Sequence, residues 1–302
     1  MLKPLPIIPH DHRPQVLLVG NGINLLFGDR SWKKMIQDEM VISHAPIEYQ
    51  DIKPMPATMQ IVLATQDRVD ERLREIGEGL AHMDMTQERT AFLREVLAMP
   101  VESILTVNYS LELEYAAGLP QRIGAYRSEL KRTKDIYESK EPFRVYQYFD
   151  CGDKQIWHVH GDVAKLSSMV MGHFHYGMLI REIQDYTAEM TRRYRACQSG
   201  RIDYQPYSWI DSFLMGDVYI LGMGMYLCEA DLWWLLCCKK RNFPGTHVYF
   251  YELTKEDDRQ KLMLMEAYNV EVIRGIEGEY KHQMPFYHRC MEDIRKKIKM
   301  AQ

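Results

Sequence analysis

The chain has 302 residues and a formal net charge of -4, from 38 basic and 42 acidic side chains. Hydrophobic residues make up 46% and charged residues 26%, which is typical of a globular protein that buries a core. Because no basic excess is available to neutralise phosphates, nucleic acids and membrane surfaces are not expected partners. The six cysteines show no C-x-x-C spacing, so neither a zinc module nor a disulfide framework is predicted. A reducing cytosol suits such cysteines, so a cytoplasmic protein is expected. No apolar run resembles a signal peptide or a membrane span.

The first predicted unit is a strand, a tight turn and a helix, in VLLVGNGINLLFG (16–28). Val16 to Val19 form the strand, Gly20-Asn21-Gly22 the turn, and Ile23 to Phe27 the start of the helix. Glycine allows a backbone to approach a phosphate, and a helix N-terminus points free N–H groups at the same place. The turn is therefore a candidate pyrophosphate site. Plain turn geometry is the competing interpretation, because the full G-x-G-x-x-G spacing is absent.

Helical segments are predicted next along the chain. Ser31 is positioned to cap a helix that starts at Trp32, and three prolines indicate a loop within residues 44–58. Apolar residues at helical spacing then continue to Met99, with a break near Asp84. This spacing predicts a helical insertion near 44–99. A second helical insertion is expected near 165–207, in a segment rich in Tyr, Arg and Met.

Five further apolar segments predict the other core strands. They are VESILTV (101–107), IWHVH (156–160), DVYILG (217–222), HVYFY (247–251) and NVEVI (269–273). An additional strand, FRVYQYF (143–149), falls within a connecting excursion, and a basic surface helix is expected after Met291. Strands that alternate with helices predict an α/β fold: one domain over 1–302, with a Rossmann-like three-layer parallel sheet of about six strands.

Polar and glycine residues follow these strands at the sheet edge where open parallel sheets bind ligands. Taken singly, each has an ordinary alternative: Asn108 could cap a helix, and His160 could cap a turn. Glu252 is a plausible partner for ribose hydroxyls. In strand order the candidates are Gly20, Asn21, Gly22 and Asn24; Asn108; His160 and Asp162; Gly222, Met223 and Gly224, with Glu229 and Asp231 further on; and Glu252.

Four segments in this order, GNGIN, TVNY, HVHGD and GMGMYLCEADLWWLL, resemble the sirtuin-like family of NAD-binding proteins. The resemblance covers roughly residues 16–253 and is closest to the bacterial branch of defence NAD hydrolases. It implies that Gly20-Asn21-Gly22 holds the NAD pyrophosphate, with Asn24 beside the nicotinamide ribose. It also implies that Asn108 positions the ribose or the attacking water, that His160 is the base, and that Gly222 to Gly224 line the adenosine side.

Two departures from the family pattern bear on activity. Family members commonly have Asp after the Asn-Tyr pair, where this chain has Ser110, so that carboxylate is missing unless Asp162 or Asp29 replaces it. The four-cysteine zinc module of the protein deacylases is also absent, which disfavours deacylation.

The expected function is hydrolysis of NAD to nicotinamide and an ADP-ribose product, in bacterial anti-phage or stress defence. NAD is the expected substrate, and no metal is expected. The length leaves control to an activating partner protein or to a homo-oligomer. The alternative is a catalytically weak NAD- or ADP-ribose-binding subunit with a regulatory or structural role in a larger complex.

A second histidine group, His173-Phe174-His175-Tyr176, raises the question of a metal site. Histidines at i and i+2 share a face only in a strand, and no carboxylate lies close in sequence. A pocket-lining loop is therefore the preferred interpretation of this segment.

Overall fold

The computed structural model describes residues 2–29, 31–118, 122–125, 145–152, 154–252, 259–274 and 284–301. Within these ranges, nine strands pair into one sheet. They are β1 (Leu2–Lys3), β2 (Gln15–Val19), β3 (Ser103–Thr106), β4 (Arg122–Ala125), β5 (Gln147–Asp150), β6 (Gln155–His158), β7 (Asp217–Leu221), β8 (Val248–Tyr251) and β9 (Val270–Ile273). Their order across the sheet is β1-β4-β5-β6-β3-β2-β7-β8-β9.

Six neighbouring strands, from β6 to β9 across the sheet, are parallel. If β2, β3, β6, β7, β8 and β9 are numbered one to six, their order is 3-2-1-4-5-6, which is compatible with a Rossmann-like sheet. The direction of winding reverses between β2 and β7. The carboxyl ends of these two strands therefore flank the crevice in which such sheets bind ligands.

The prediction of about six strands was too low. The six predicted core strands are the parallel ones, but β5 pairs with β6 antiparallel and makes a seventh, and β4 and β1 extend the same edge. Only residues 151–154 connect β5 to β6. A connection this short allows a hairpin, whereas a parallel crossover needs a dozen residues or more. The predicted strand 143–149 contains β5, and its first two residues lie outside the described ranges.

Twelve α-helices are present in the described ranges. They are α1 (Gly22–Leu25), α2 (Trp32–Ile42), α3 (Tyr49–Ile52), α4 (Ala57–Ala64), α5 (Val69–Ala81), α6 (Gln87–Leu97), α7 (Glu112–Ala116), α8 (His173–Gly200), α9 (Trp209–Met215), α10 (Ala230–Asn242), α11 (Arg259–Ala267) and α12 (Met284–Ala301). The cap at Ser31 is confirmed, because its Oγ accepts the N–H of Lys34 at 3.2 Å. In the same ranges, no helix combines the length and apolar character that a membrane crossing requires.

Helices cover both faces of the sheet because successive side chains of a strand alternate between faces. Val16 and Leu18 of β2 pack with α8, α9 and α10 on one face, and Leu17 and Val19 pack with α1, α6, α7 and α12 on the other. Burying one such side chain contributes about 1.5–3 kcal/mol. A third cluster joins α2, α4 and α5 beside the sheet.

The last helix differs from its prediction as a surface helix. α12 buries one side, which includes Tyr287, Cys290, Met291 and Ile294, against the face that carries Leu17 and Val19. Its lysines and arginines occupy the remaining surface, and their density in the sequence hid the apolar stripe.

Candidate functional site

The glycine turn after β2 packs directly against the loop after β7. The N–H of Gly20 donates to the carbonyl of Leu221 at 3.0 Å, and the N–H of Gly22 donates to the carbonyl of Gly222 at 2.7 Å. A Cβ at Gly20 or Gly22 would lie 2.7 or 2.6 Å from the Gly222 oxygen, closer than real Cβ contacts. Contact between two backbones at the switch point is therefore a sufficient reason for both glycines, besides the predicted approach of a phosphate.

The helix after the turn is shorter than predicted. α1 is a single turn that ends at Leu25, whereas a helix through Phe27 was expected. One turn sums few peptide dipoles, and the N–H of Gly22 is already bonded to Gly222. The electrostatic argument for an anion at this helix start is correspondingly weaker than the sequence indicated.

A buried polar network lies beneath the turn and centres on Glu112. The Nδ2 groups of Asn24 and Asn108 both donate to Glu112 Oε1 at 2.8 Å, and the Ser110 hydroxyl donates to Oε2 at 2.5 Å. Asn108 Nδ2 also lies 3.5 Å from the carbonyl oxygen of Gly20. Asn24, Asn108 and Glu112 are buried. This network joins the predicted ligand turn to the predicted catalytic asparagine.

Arg89 of α6 extends the same network. Its guanidinium contacts both oxygens of Asp29, at 2.8 and 2.6 Å, and donates to Asn24 Oδ1 at 3.1 Å. The side chain is fully buried. A planar, two-pronged contact of this kind fixes orientation as well as charge. The Asn24 amide is thus held on both sides, by Arg89 and by Glu112.

Glu112 and Arg89 were not predicted as site residues. Asp29 and Asp162 were considered as substitutes for the family carboxylate missing at Ser110, but Glu112 is the carboxylate that contacts Asn108. The available signal was its nearness to Asn108 in the sequence, since Glu112 is the first carboxylate after it. Arg89 carries no comparable signal, because charged residues are frequent in the amphipathic pattern of α6.

His158, two residues before the predicted base, supports Asn108 from below. Its Nδ1 lies 2.7 Å from the Asn108 carbonyl oxygen and its Nε2 lies 2.9 Å from Glu114 Oε1. Burial alone would lower the pKa of His158, but the Glu114 and Asp162 charges and the Asn108 carbonyl raise it to about 9. The ring is therefore protonated at neutral pH and donates from both nitrogens.

Asp162, predicted to bind the cofactor, stabilises the turn after β6. It is buried, and its Oδ1 accepts the N–H of Ala164 at 2.9 Å. Its charge also acts on His158. In this structure, Asp162 stabilises the loop after β6. Its predicted contact with the cofactor stays a prediction.

His160 lies in a second cluster, the His160 cluster, made of His160, Tyr176, Glu229 and Asp231. His160 Nε2 lies 2.9 Å from Asp231 Oδ2, and its Nδ1 lies 3.5 Å from the Tyr176 hydroxyl. The same hydroxyl donates to Glu229 Oε2 at 3.2 Å. The contacts join the end of β6 to α8 and to the start of α10. The sequence places Glu229 and Asp231 beyond the fourth core strand but predicts no role for either residue.

Two carboxylates close together shift the electrostatics of this cluster. Burial raises the pKa of Glu229, His160 and the Tyr176 hydroxyl oppose the rise, and the nearby Asp231 charge adds to it, giving about 7. Burial also raises the pKa of Tyr176 well above its usual value, so the phenol stays protonated. Glu229 is thus the carboxyl of this cluster that can gain or lose a proton near neutral pH.

The segment His173 to Tyr176 is not the predicted loop. It forms the first turn of α8, where Tyr176 points to His160 and His175 Nε2 contacts Asp70 at 2.8 Å. The two histidines are therefore separated on a helix, and the chemically important residue of the segment is Tyr176.

One group in the described part of the chain has atoms close enough to share a metal ion. Ligand atoms of His160, Glu229 and Asp231 lie within 4.8 Å of one another. The cluster is held together by its own hydrogen bonds, His160 to Asp231 and Tyr176 to Glu229. The absence of a metal from the reaction stays a prediction.

The residues expected on the adenosine side lie around the loop after β7. Met223 is buried, and Gly224 is half-buried with its carbonyl 3.4 Å from Lys261 Nζ. Lys261 also lies 3.1 Å from the carboxylate of Glu252. A ribose hydroxyl at Glu252 would therefore meet an ion pair rather than a lone carboxylate.

No known protein family matches the sequence, and no curated protein is significantly similar to it. The fold and the site themselves define the chain as a mixed α/β protein with a mostly parallel sheet and polar residues gathered at its switch point.

Proposed function

We propose that the protein is an NAD hydrolase that cleaves the bond between nicotinamide and ribose. The observation that carries the proposal is that contacts link the residues after four different strands at one edge of the sheet. Gly20 contacts Leu221, Asn108 reaches Gly20, and His160 contacts Asp231. A crevice at the switch point is where sheets of this order bind dinucleotides. The four segments that resemble the sirtuin-like family support NAD as the substrate.

Asn108 is suited to hold the ribose or the attacking water. Its Nδ2 donates to Glu112 and faces the Gly20 carbonyl, which orients the carboxamide so that its oxygen is the remaining acceptor. A neutral acceptor fixes a hydroxyl or a water without adding charge. Cleavage passes through a cation-like ribose, so the Glu112 carboxylate behind Asn108 also favours the transition state.

The His160 cluster is suited to accept the proton that water loses when it attacks the ribose. Nicotinamide leaves as a neutral base and requires no acid. General-base assistance of this kind contributes about 10²–10⁴-fold to a rate. In this proposal, Glu112 and the His160 cluster provide the carboxylates that take the place of the one missing at Ser110.

A second candidate function, nucleotide binding without turnover, is favoured by one observation. The Asn24 amide is fully buried and bonded to Arg89 and Glu112, so it is held as part of a fixed frame. A frame of this kind would also suit a regulatory subunit that holds NAD or ADP-ribose.

The experiment is nicotinamide release from NAD by the purified chain and four variants. Asn108→Ala and His160→Ala are expected to lose activity by about 10²-fold or more. Asn242→Ala and His247→Ala are the matched controls. Asn242 is at the end of α10, and His247 contacts Asp217 at the amino end of β7. Both controls are expected to keep the activity.

The outcome that contradicts hydrolysis is equally direct. If the unmodified chain releases no nicotinamide while NAD or ADP-ribose raises its Tm, the protein binds the nucleotide without cleaving it. If neither release nor a Tm shift occurs, both candidate functions are wrong.

A further inference from the structure

His160, the base implied by the resemblance, has both ring nitrogens facing protein side chains. Nε2 lies 2.9 Å from Asp231, Nδ1 lies 3.5 Å from the Tyr176 hydroxyl, and only 3% of the side chain is exposed. A water that attacks the ribose cannot reach Nε2 without displacing Asp231. The ring is therefore better placed to orient its neighbours than to take a proton itself.

Glu229 is the least buried residue of the cluster. His160, Tyr176 and Asp231 are buried, whereas Glu229 is partly exposed at the start of α10. The Tyr176 hydroxyl connects its Oε2 to the His160 ring. A half-buried carboxylate that is held at one oxygen can accept a proton at the other, which is the arrangement of a general base.

We propose that Glu229 takes the proton from the attacking water, and that His160, Tyr176 and Asp231 are positioning residues. This inference rests on the proposed NAD hydrolysis. The water oxygen forms a bond to the ribose anomeric carbon, and the bond from that carbon to the nicotinamide nitrogen breaks. The bonding pair leaves with nicotinamide, and the water proton passes to the Glu229 carboxylate, which then releases it to solvent.

The charges around Glu229 suit this role. His160 stabilises its ionised form, Asp231 opposes it, and the Tyr176 hydroxyl donates to it. Tyr226 and Cys228 also face it, and burial raises the pKa of both, so they stay neutral near pH 7. The resulting pKa of about 7 for Glu229 lets the carboxylate both ionise and accept a proton at neutral pH.

The first test is Glu229→Gln with and without azide, followed by nicotinamide release. The variant is expected to lose about 10²-fold or more of the rate. Azide is an anionic nucleophile with no proton to lose, so it is expected to restore cleavage and to give an azido-ADP-ribose product. Asn108→Ala, which lacks the positioning carboxamide, is the control that azide should not rescue.

The second test is the pH dependence of the rate in two positioning variants. Tyr176→Phe removes a hydrogen bond to the ionised carboxylate, so the acidic limb of the profile is expected to move to higher pH. Asp231→Asn removes a like charge, so the limb is expected to move to lower pH. Shifts of the acidic limb in opposite directions would assign that limb to Glu229. If Tyr176 and Asp231 had a purely structural role, the variants would change the rate without moving the limb.

Three results would overturn the inference. Glu229→Gln with an unchanged rate, or loss without azide rescue in a folded variant, would remove Glu229 as the base. Activity that disappears with a chelator and returns with a divalent cation would instead assign the cluster to a metal. The unmodified chain distinguishes these failures from a failure of the proposed function. If it cleaves NAD, the three results overturn only the role of Glu229. If it never cleaves NAD, both proposals are overturned.

Discussion

The network beneath the glycine turn and the His160 cluster are both buried and polar, but they balance charge differently. In the network, Glu112 receives donors from two amides and one hydroxyl, and Asp29 is paired with Arg89. In the His160 cluster, two carboxylates share one ring and one phenol, so they have fewer donors between them. The difference teaches that donors balance the carboxylates of one region, whereas in the other region burial and a neighbouring carboxylate raise the pKa of Glu229.

The largest expected effect is on the network beneath the glycine turn. Arg89→Leu leaves Asp29 without its partner and the Asn24 oxygen without a donor, so we expect the free energy of unfolding to fall by about 3–5 kcal/mol. Urea denaturation measures it. Arg181→Leu is the matched control, because its contact with Asp185 at 3.8 Å is exposed and is expected to contribute no more than about 1 kcal/mol. Equal losses in the two variants would contradict a balanced network.

In the His160 cluster we expect a smaller change in the free energy of unfolding, and an increase instead of a decrease. Folding raises the pKa of Glu229 from 4.5 to about 7, so ionisation costs the folded state stability as pH rises between these values. Glu229→Gln cannot ionise and still accepts from Tyr176. We expect it to match the unmodified chain at pH 4 and to be more stable by about 1–2 kcal/mol at pH 8, a figure reduced for partial exposure. Thermal unfolding at both pH values measures the difference. A variant that is less stable at pH 8 would show that the cluster, too, is balanced.

The smallest effect concerns Ser110, whose hydroxyl donates to Glu112. Ser110→Ala removes one donor to Glu112 while two amides remain, so we expect a loss of about 1 kcal/mol. Ser110→Asp would place a second carboxylate against Glu112. The double variant Ser110→Asp with Glu112→Gln is expected to recover the stability that Ser110→Asp loses through this repulsion. A double-mutant cycle measures the coupling between the two positions. Additive effects would contradict the direct contact.

Much of the fold follows from the sequence because apolar runs mark buried parallel strands. All six predicted core strands are present, and the residues after them include Gly20, Asn108 and His160. Such runs do not show which strands or side chains contact one another. Periodicity could not show that Arg89 is buried and paired, that α1 stops after one turn, or that Tyr176 lies on a helix, since each depends on contacts between distant segments.

The pairing of β2 with β7 has a consequence for how the chain matures on the ribosome. Val16 lies beside Val218, so the central strand keeps one open edge until some two hundred further residues have been synthesised. Pairings this remote in sequence form slowly and leave a strand edge exposed to other chains. Because Gly20 and Gly22 bond to Leu221 and Gly222, the nascent polypeptide completes the contacts at its switch point late, after most of the described helices have emerged.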